Sequence, residues 1–186
     1  QLAKDLRSSN KDVGIVLMGY ISNVFMYSIS KFAKDIAGVV DAVLCVDAPH
    51  EIHEEKELRT ELKKYDIDLI KLVAPTTSDK RISEIAKISS GFIYSLNVKG
   101  ISGVKKANIK EVSSMIKRIK SLTKTPVVSG FGIKNPEDAK LIAKSGCSGV
   151  VIGSTFVEFI EKNIKDKKLP QKIGKMVKNF KNSLSV

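Results

Sequence analysis

The sequence predicts an α/β fold in which helices cover a parallel sheet, and three observations lead to this prediction. Six short apolar runs recur along the chain, and their starts lie about 20 to 35 residues apart. Between the runs, apolar residues take up a helical spacing. The runs are apolar on both faces, which is typical of parallel strands buried between helices. With 186 residues, 42% of them apolar, the chain has enough material for one core, so we predict one domain over residues 1–186.

The apolar runs and the punctuation between them predict where the elements lie. Asn135-Pro136-Glu137-Asp138 predicts a capped helix start, with proline in the first turn, and Gly146 predicts the end of that helix. Ser78 and Asn108 are candidate caps of two other helices. The predicted strands, in order, are residues 13–18, 39–46, 67–73, 91–96, 126–129 and 149–152.

The last part of the chain predicts a final amphipathic helix that packs on the body of the protein. Its lysines alternate with apolar residues at helical spacing. This predicted apolar stripe consists of Leu169, Ile173, Val177, Phe180 and Leu184.

The net charge of +12 raises the question of nucleic-acid binding, but the distribution of charge argues against it. Lysine supplies 28 of the 32 basic residues. Proteins that recognise nucleic-acid bases and phosphates rely instead on the forked hydrogen-bond donors of arginine. The lysines are also scattered, without interleaved aromatic residues. We therefore expect no nucleic-acid partner. No run of 18 apolar residues and no secretion signal occurs, so we expect no membrane association and a cytoplasmic location.

Metal and nucleophile motifs are weak in this sequence. Cys45 and Cys147 lie in apolar runs without a CxxC pair, which predicts two small buried residues. The run from His50 to Glu55 mixes imidazoles and carboxylates, and we interpret it as a solvated helix start, because no third ligand of fixed spacing follows. GxSxG, HExxH and Walker sequences do not occur. We expect no metal.

Two glycine clusters end the last two predicted strands, and each precedes a predicted helix. They are Ser129-Gly130-Phe131-Gly132-Ile133 and Val150-Val151-Ile152-Gly153-Ser154. Glycine lets the backbone approach an anion closely, and the following helix start favours negative charge. The last two strands of a TIM (β/α)8 barrel use such turns to bind phosphate. Six βα units therefore predict a barrel that lacks roughly its first two units.

Several polar side chains follow the predicted strands at the end where barrel sites form. Tyr20 follows the first strand, and the alternative is a tyrosine that bridges core and solvent. Asp47 follows the second, and the alternative is a capping or turn role. Tyr94 lies on the fourth strand. The loop that follows it contains Gly100 and Gly103, which permit closure over a ligand, although a loop without such a role is the alternative.

These strand-end segments, taken together, resemble the tryptophan synthase alpha chain family over essentially the whole sequence. The segment from Ala74 to Thr77 and the segment from Gly130 to Glu137 are the most specific. The other matching segments are Leu17-Met18-Gly19-Tyr20, Val46-Asp47-Ala48-Pro49, Gly91-Phe92-Ile93-Tyr94, Gly100-Ile101-Ser102-Gly103 and Ile152-Gly153-Ser154.

The resemblance implies a lyase that splits indole-3-glycerol phosphate by a retro-aldol reaction into indole and glyceraldehyde 3-phosphate. It implies no metal and no organic cofactor. It also implies a partner, a pyridoxal-phosphate-dependent beta chain that joins indole to serine within an α2β2 complex. Pyridoxal phosphate would belong to that partner alone.

The resemblance also assigns roles to residues of this chain. Asp47 and Ser102 would support the catalytic group when the loop closes, and Tyr94 would lie beside the reacting glycerol chain. The backbone of four residues would bind phosphate, namely Gly103, Gly132, Gly153 and Ser154. The indole pocket would consist of Leu17, Tyr20, Leu44, Leu72 and Phe131.

The acid–base glutamate and the indole-binding aspartate of the family would precede residue 1. The 186 residues alone are therefore expected to be inactive. Ile21-Ser22-Asn23 replaces the family's usual Tyr-Asn-Pro in a region that would face the beta chain, and Ser102 replaces a threonine. Two alternatives stay open: a barrel partner of a beta chain without catalysis of its own, and another phosphate-binding barrel enzyme of the indole-3-glycerol phosphate synthase or thiamine phosphate synthase type.

Overall fold

A computed structural model of the chain describes residues 1–49, 51–96, 109–130 and 132–184. The helices in these residues are α1 (Leu2–Ser9), α2 (Ile21–Tyr27), α3 (Ile29–Ile36), α4 (His53–Lys63), α5 (Asp79–Ile88), α6 (Ile109–Lys120), α7 (Pro136–Ala143), α8 (Ser154–Lys162) and α9 (Leu169–Leu184). The strands are β1 (Val16–Gly19), β2 (Ala42–Cys45), β3 (Asp68–Val73), β4 (Ile93–Leu96), β5 (Val127–Gly130) and β6 (Gly149–Val151).

All six predicted strands are confirmed, each shortened or shifted by a few residues. Their order in the sheet is β1-β2-β3-β4-β5-β6, so every strand neighbours the next one along the chain. The pairs β1–β2, β2–β3 and β5–β6 are parallel. A helix connects each pair of successive strands, which is the connection that parallel neighbours require. The α/β prediction is therefore correct.

By its internal contacts the chain divides into two compact units. The first consists of Gln1–Leu72 and Glu84–Ile93, and the second of Val73–Ser83 and Tyr94–Val186. That the 186 residues form one domain stays a prediction.

The core of the first unit lies between its strands and helices α2, α3 and α4. Val43 and Cys45 of β2 and Leu69 of β3 point into it. Helix α4 contributes Leu58 and Leu62, both completely buried. The buried side chains of both strands are mainly apolar, as the sequence pattern predicted for strands covered by helices, although β3 also carries the buried Lys71.

The second unit is organised around α6, α7 and α9. Helix α6 buries four residues at helical spacing, namely Val112, Met115, Ile116 and Ile119. The predicted start of α7 is confirmed, because the Asn135 side chain accepts a hydrogen bond from the Asp138 N–H at 2.8 Å. The predicted end near Gly146 is also confirmed, with Gly146 at φ +87° just after the last helical turn.

Helix α9 confirms the predicted C-terminal helix but corrects its contact face. Phe180 is buried and lies 5.8 Å, between ring centroids, from Phe156 of α8. Val177 is 48% exposed. Met176, one residue earlier along the helix, is half-buried instead.

The cysteine prediction is half correct. Cys45 is buried, and burial raises the pKa of its thiol to about 11. Cys147 is only half-buried, at the turn between α7 and β6.

The predicted Ser78 cap is confirmed, because its hydroxyl accepts a hydrogen bond from the Arg81 N–H at 3.3 Å. The predicted cap at Asn108 lies outside the described residues. Within those residues, no helix has the length and apolar character needed to span a membrane.

Candidate functional site

The end of strand β5 is closely packed against its neighbours in the second unit. Gly130 is buried, and a Cβ added there would lie 2.7 Å from the Tyr94 hydroxyl oxygen. It would also lie 2.7 Å from the Cβ and 2.9 Å from the carbonyl oxygen of Val151. Glycine is therefore needed at this position for close approach, with Tyr94 directly over the strand end.

The turn that follows β5 leads into the capped helix α7. Gly132 has φ +70°, a conformation that glycine adopts without steric cost. Ile133 is buried, and Asn135 caps the helix through Asp138. This helix start therefore has a side-chain cap, and its first residue, Pro136, has no N–H to offer. Phe131, assigned to the indole pocket by the sequence, lies outside the described residues.

The turn after β6 differs, because helix α8 begins at a glycine. Its N-cap is Gly153, which has no side chain to accept hydrogen bonds from the first turn. A Cβ at Gly153 would meet nothing within 4 Å. The first N–H groups of a helix lack carbonyl partners within it. Within the described residues, the start of α8, with Ser154 as its first residue, therefore has backbone donors without a side-chain cap.

These two turns lie next to each other. In the register of β5 and β6, Gly130 pairs with Val151, and Gly132 and Gly153 each follow two residues later. The Thr155 hydroxyl donates a hydrogen bond to the Ile133 carbonyl oxygen, which joins the first turn of α8 to the turn after β5. The positive end of the α8 dipole, without a side-chain cap in the described residues, favours an anion here. The structure places Gly132, Gly153 and Ser154 close together, and their role in binding phosphate stays a prediction. Gly103 lies outside the described residues.

Tyr94 is half-buried on β4, and burial raises the pKa of its hydroxyl. The phenol therefore stays protonated at neutral pH and can donate or accept a hydrogen bond at the strand end. Ser102, the other polar residue assigned to this part of the molecule, lies outside the described residues.

In the first unit, Asp47 has a defined partner. Its Oδ1 accepts a hydrogen bond from the Ile21 N–H at 2.7 Å, at the first residue of α2. The side chain therefore acts as a cap for a helix that follows the neighbouring strand, which is the capping role that the sequence left as the alternative. Asp47 is otherwise exposed. A capping and a supporting role are compatible in this geometry.

The apolar residues assigned to the indole pocket in the first unit do not all share a face of the sheet. Leu44 pairs with Met18 on one side and with Ile70 on the other. Leu72, two residues after Ile70, lies on that same face. Leu17 pairs with Val43, which points into the helix-side core. The assignment of Leu17 is therefore a correction: Met18, 63% exposed, takes its place beside Leu44.

Tyr20, two residues after Met18, continues the line of that face and is 57% exposed. The alternation of a strand could have shown this from the sequence, since residues two apart share a face and adjacent residues do not. Met18 and Tyr20 therefore belong together, whereas the assignment of Leu17 followed sequence similarity alone.

Sequence reasoning also missed a buried ion pair in the first unit. Lys71 of β3 and Glu55 of α4 lie 3.2 Å apart, between Nζ and Oε1. The interpretation of the run from His50 to Glu55 as fully solvated is wrong for Glu55, although His53 is exposed. A lone lysine inside an apolar strand was the available signal, because it needs a partner when buried.

A search of the described residues finds no group of three His, Cys, Asp or Glu side chains that could hold a metal ion. Parallel βα units with paired glycine turns at the strand ends define an α/β protein of the TIM-barrel class, with six of its strands in the described residues.

Comparisons with known proteins give the family. A family model described as "Tryptophan synthase alpha chain" matches residues 1–185. The tryptophan synthase alpha chain of Ruthia magnifica is 38% identical over 167 residues, which are 89% of this chain and 62% of that protein. The chain therefore belongs to the tryptophan synthase alpha chain family, and it spans about three-fifths of the length of the curated relatives it matches.

Solved structures agree with the sequence match. Tryptophan synthase subunit alpha from Legionella pneumophila aligns with a TM-score of 0.84 and 26% identity, covering 98% of this chain and 67% of that one. A structure of the tryptophan synthase α2β2 complex from Pyrococcus furiosus aligns with a TM-score of 0.80 and 27% identity, covering 97% and 70%.

Proposed function

We propose that the protein containing this chain cleaves indole-3-glycerol phosphate into indole and glyceraldehyde 3-phosphate. The family membership of residues 1–185 supports this reaction. The observation that carries it is the start of α8, where Gly153 leaves the first turn without a side-chain cap next to the positive-φ turn at Gly132. A phosphate monoester fits such a helix start in charge and in hydrogen bonding.

In this proposal the phosphate accepts hydrogen bonds from the backbone of Gly132, Gly153 and Ser154, together with Gly103. The hydroxyl of Ser154 adds a further donor. Hydrogen bonds to a charged acceptor are stronger than neutral ones, so a few of them anchor the substrate by its phosphate end. This leaves the glycerol chain and the indole ring to extend away from α8.

In this proposal the indole ring binds to the apolar face that carries Met18 and Leu44, with Leu72, Tyr20 and Phe131. Met18 replaces Leu17 because it shares the face of Leu44. An exposed methionine beside an exposed tyrosine suits a flat aromatic ligand, since both adapt to its ring. Tyr94 would contact the glycerol hydroxyls with its protonated phenol.

The chemistry requires two proton movements. A proton is added at C3 of the indole ring, and the hydroxyl next to the breaking carbon–carbon bond loses its proton as that carbon becomes the aldehyde. The protonated ring accepts the electron pair of the broken bond, so the proposal includes no metal or organic cofactor. Asp47 and Ser102 would orient the acid–base group, and the proposal assigns the acid–base role itself to none of these 186 residues.

The proposal also includes a partner, a tryptophan synthase beta chain that uses pyridoxal phosphate and takes up the indole. The likeness to a chain of the α2β2 complex from Pyrococcus furiosus supports it. Helix α2 carries apolar side chains that are exposed here, Phe25, Met26 and Tyr27, in the segment that the resemblance directs towards that partner. Exposed apolar groups of this size favour contact with another protein.

The test uses the protein in the full-length form that its source produces, with indole release from indole-3-glycerol phosphate as the readout. Ser154→Asp places a carboxylate at the start of α8, where it repels phosphate but interacts favourably with the helix dipole. We expect KM to rise on the order of 100-fold, because several charged hydrogen bonds are lost, while the thermal unfolding midpoint stays at or above that of the wild type.

Two matched variants separate charge from shape. Ser154→Asn has the same size without the charge and is expected to keep most of the affinity. Ser78→Asp introduces the same acid at the start of α5, where the Ser78 hydroxyl already caps the helix by accepting a hydrogen bond from the Arg81 N–H. This variant is expected to leave KM unchanged. Absence of indole release by the wild-type protein overturns the proposed reaction, and an equal KM for Ser154→Asp and wild type overturns the phosphate site.

A further inference from the structure

Lys71 is a charged residue in the middle of a buried strand. Its neighbours along β3, Ile70 and Leu72, are apolar, and its side chain is only 6% exposed. Its partner Glu55 is completely buried on α4. Taking two charges out of water is costly, and apolar residues of similar volume are often as stable or more stable at such positions. Stability by itself therefore does not account for this pair.

The Lys71 ammonium makes a second contact that an apolar side chain cannot make. Its Nζ donates a hydrogen bond to the Ala48 carbonyl oxygen at 2.8 Å, in addition to the Glu55 contact. Burial lowers the pKa of Lys71, and the carboxylate of Glu55 opposes that shift. Arg59 lies 3.6 Å from the same carboxylate oxygen of Glu55. Glu55 thus holds the ammonium in place while the ammonium binds the main chain.

Ala48 directly follows Asp47, so this hydrogen bond acts one peptide away from a residue of the proposed site. The Asp47 side chain is bound to the Ile21 N–H at 2.7 Å. The turn after β2, residues 46–49, is therefore held at three points. Its main chain donates from the Val46 N–H to the Gly19 carbonyl oxygen at 3.0 Å, its Asp47 side chain binds the start of α2, and its Ala48 carbonyl oxygen binds Lys71. The Lys71 contact is the one on the far side of Asp47 from β1, so with the other two it leaves the carboxylate little freedom to move.

We propose that Lys71, held by Glu55, is a positioning residue that fixes the turn after β2 and with it the carboxylate of Asp47. The contribution to the reaction rests on the proposed function, because it requires Asp47 to act beside the substrate. The effect of Lys71 on the turn does not depend on the proposed function, and it is tested separately.

The first experiment measures hydrogen exchange of the Ile21 amide, which reports the bond to Asp47. Lys71→Met with Glu55→Leu removes both charges and keeps the volume, so we expect the thermal midpoint to stay close to that of the wild type. The Ile21 amide is nevertheless expected to exchange about tenfold faster, because local opening of the turn becomes easier. Unchanged Ile21 exchange in this double variant overturns the proposal.

Two further variants complete the exchange experiment. Glu55→Gln keeps the shape and lets Lys71 remain, so it gives a second measurement that does not depend on the double variant folding. We expect its Ile21 exchange to lie between wild type and double variant, and a wild-type rate contradicts the role of Glu55. Lys31→Met removes an exposed ion pair with Asp35 in the same unit and is expected to leave Ile21 unchanged.

The second experiment measures indole release by the full-length protein. Lys71→Met with Glu55→Leu is expected to lower kcat about tenfold with KM within about twofold, because positioning acts on the transition state more than on binding. In an Asp47→Asn background the same change is expected to have no further effect, and additive losses contradict positioning through Asp47. If the wild type releases no indole, the proposed function fails, while the exchange experiment still decides on the turn.

Discussion

The two glycine turns of the second unit look alike in sequence and differ in what their glycines do. After β5, Gly130 is enclosed by Tyr94 and Val151, and the helix that follows is capped by Asn135. After β6, Gly153 has open space around its missing side chain and begins α8 without a side-chain cap. One glycine is needed for packing, and the other leaves a helix start open to a ligand.

The comparison shows that a glycine-rich turn is not by itself a binding site. Both turns end a parallel strand and precede a helix, as phosphate turns do. The helix start after β5 is capped by Asn135, whereas the helix start after β6 has no side-chain cap within the described residues. An external anion is therefore expected mainly at α8, with Gly132 contributing from the side.

The largest expected difference between the turns is in how far an added methyl group lowers the free energy of unfolding. Gly130→Ala places a Cβ within 3 Å of two atoms of Val151, one of them backbone. We expect the free energy of unfolding to fall by about 2 kcal/mol, since the backbone has to shift. Gly153→Ala is expected to change it by less than about 0.5 kcal/mol. Chemical denaturation of both variants measures this difference, and equal losses contradict the comparison.

The second-largest expected difference between the turns is in how much a side chain at the helix start contributes to stability. Asn135→Ala removes the side chain that accepts the Asp138 N–H, and we expect a loss of about 1 kcal/mol in the free energy of unfolding. Ser154→Ala, at the start of α8, is expected to cost clearly less, because no capping bond is lost there. Urea unfolding curves of the two variants decide the point. A larger loss for Ser154→Ala indicates that α8 is capped by its own serine.

A smaller effect is expected where the two turns are joined. Thr155→Val keeps the shape of the side chain but removes the hydroxyl that donates to the Ile133 carbonyl oxygen. A single such bond contributes roughly 0.5 to 1 kcal/mol. The same variant is expected to weaken phosphate binding, because the first turn of α8 is then less well held. Calorimetry of unfolding and of glycerol 3-phosphate binding tests both, and unchanged values in both experiments show that the bond is unimportant.

The smallest expected effect is on stability at alkaline pH, where Tyr94 beside Gly130 titrates. Burial raises the pKa of Tyr94 above its value in the unfolded chain, so the folded state keeps the proton that the unfolded state loses. The corresponding stability is present below about pH 10 and decreases as the pH rises through the folded pKa. As the pH rises above about 10, Tyr94→Phe is therefore expected to lose less stability than the wild type. Identical pH profiles contradict a buried phenol.

Much of the fold follows from the sequence, because continuous apolar runs and helix caps are local signals. All six strands, the Asn135 cap and the C-terminal helix were predictable in this way. The errors arise where a choice between two faces was needed. Leu17 was placed in the pocket instead of Met18, and Val177 was placed on the contact face of α9 instead of Met176, each one residue away from the correct position.

The buried pair of Lys71 and Glu55 shows the other limit of sequence reasoning. A charge in an apolar strand signals that a partner exists, but not which of several acids on a distant helix supplies it. Residues 55 and 71 meet only because α4 packs across β3, and this is a tertiary contact. The pair of glycine turns was predictable as a motif, whereas the difference between the two turns became visible only in the surroundings of Gly130 and Gly153.

Amide chemical shifts during a titration with glycerol 3-phosphate test the central claim most directly. If the start of α8 is the phosphate site, the N–H signals of Gly153 and Ser154 shift most, that of Gly132 shifts less, and all three saturate at one ligand concentration. In Ser154→Asp these shifts disappear. If the shifts in the wild type are confined to the lysine-rich face of α9, or do not saturate, the assignment of this site is wrong.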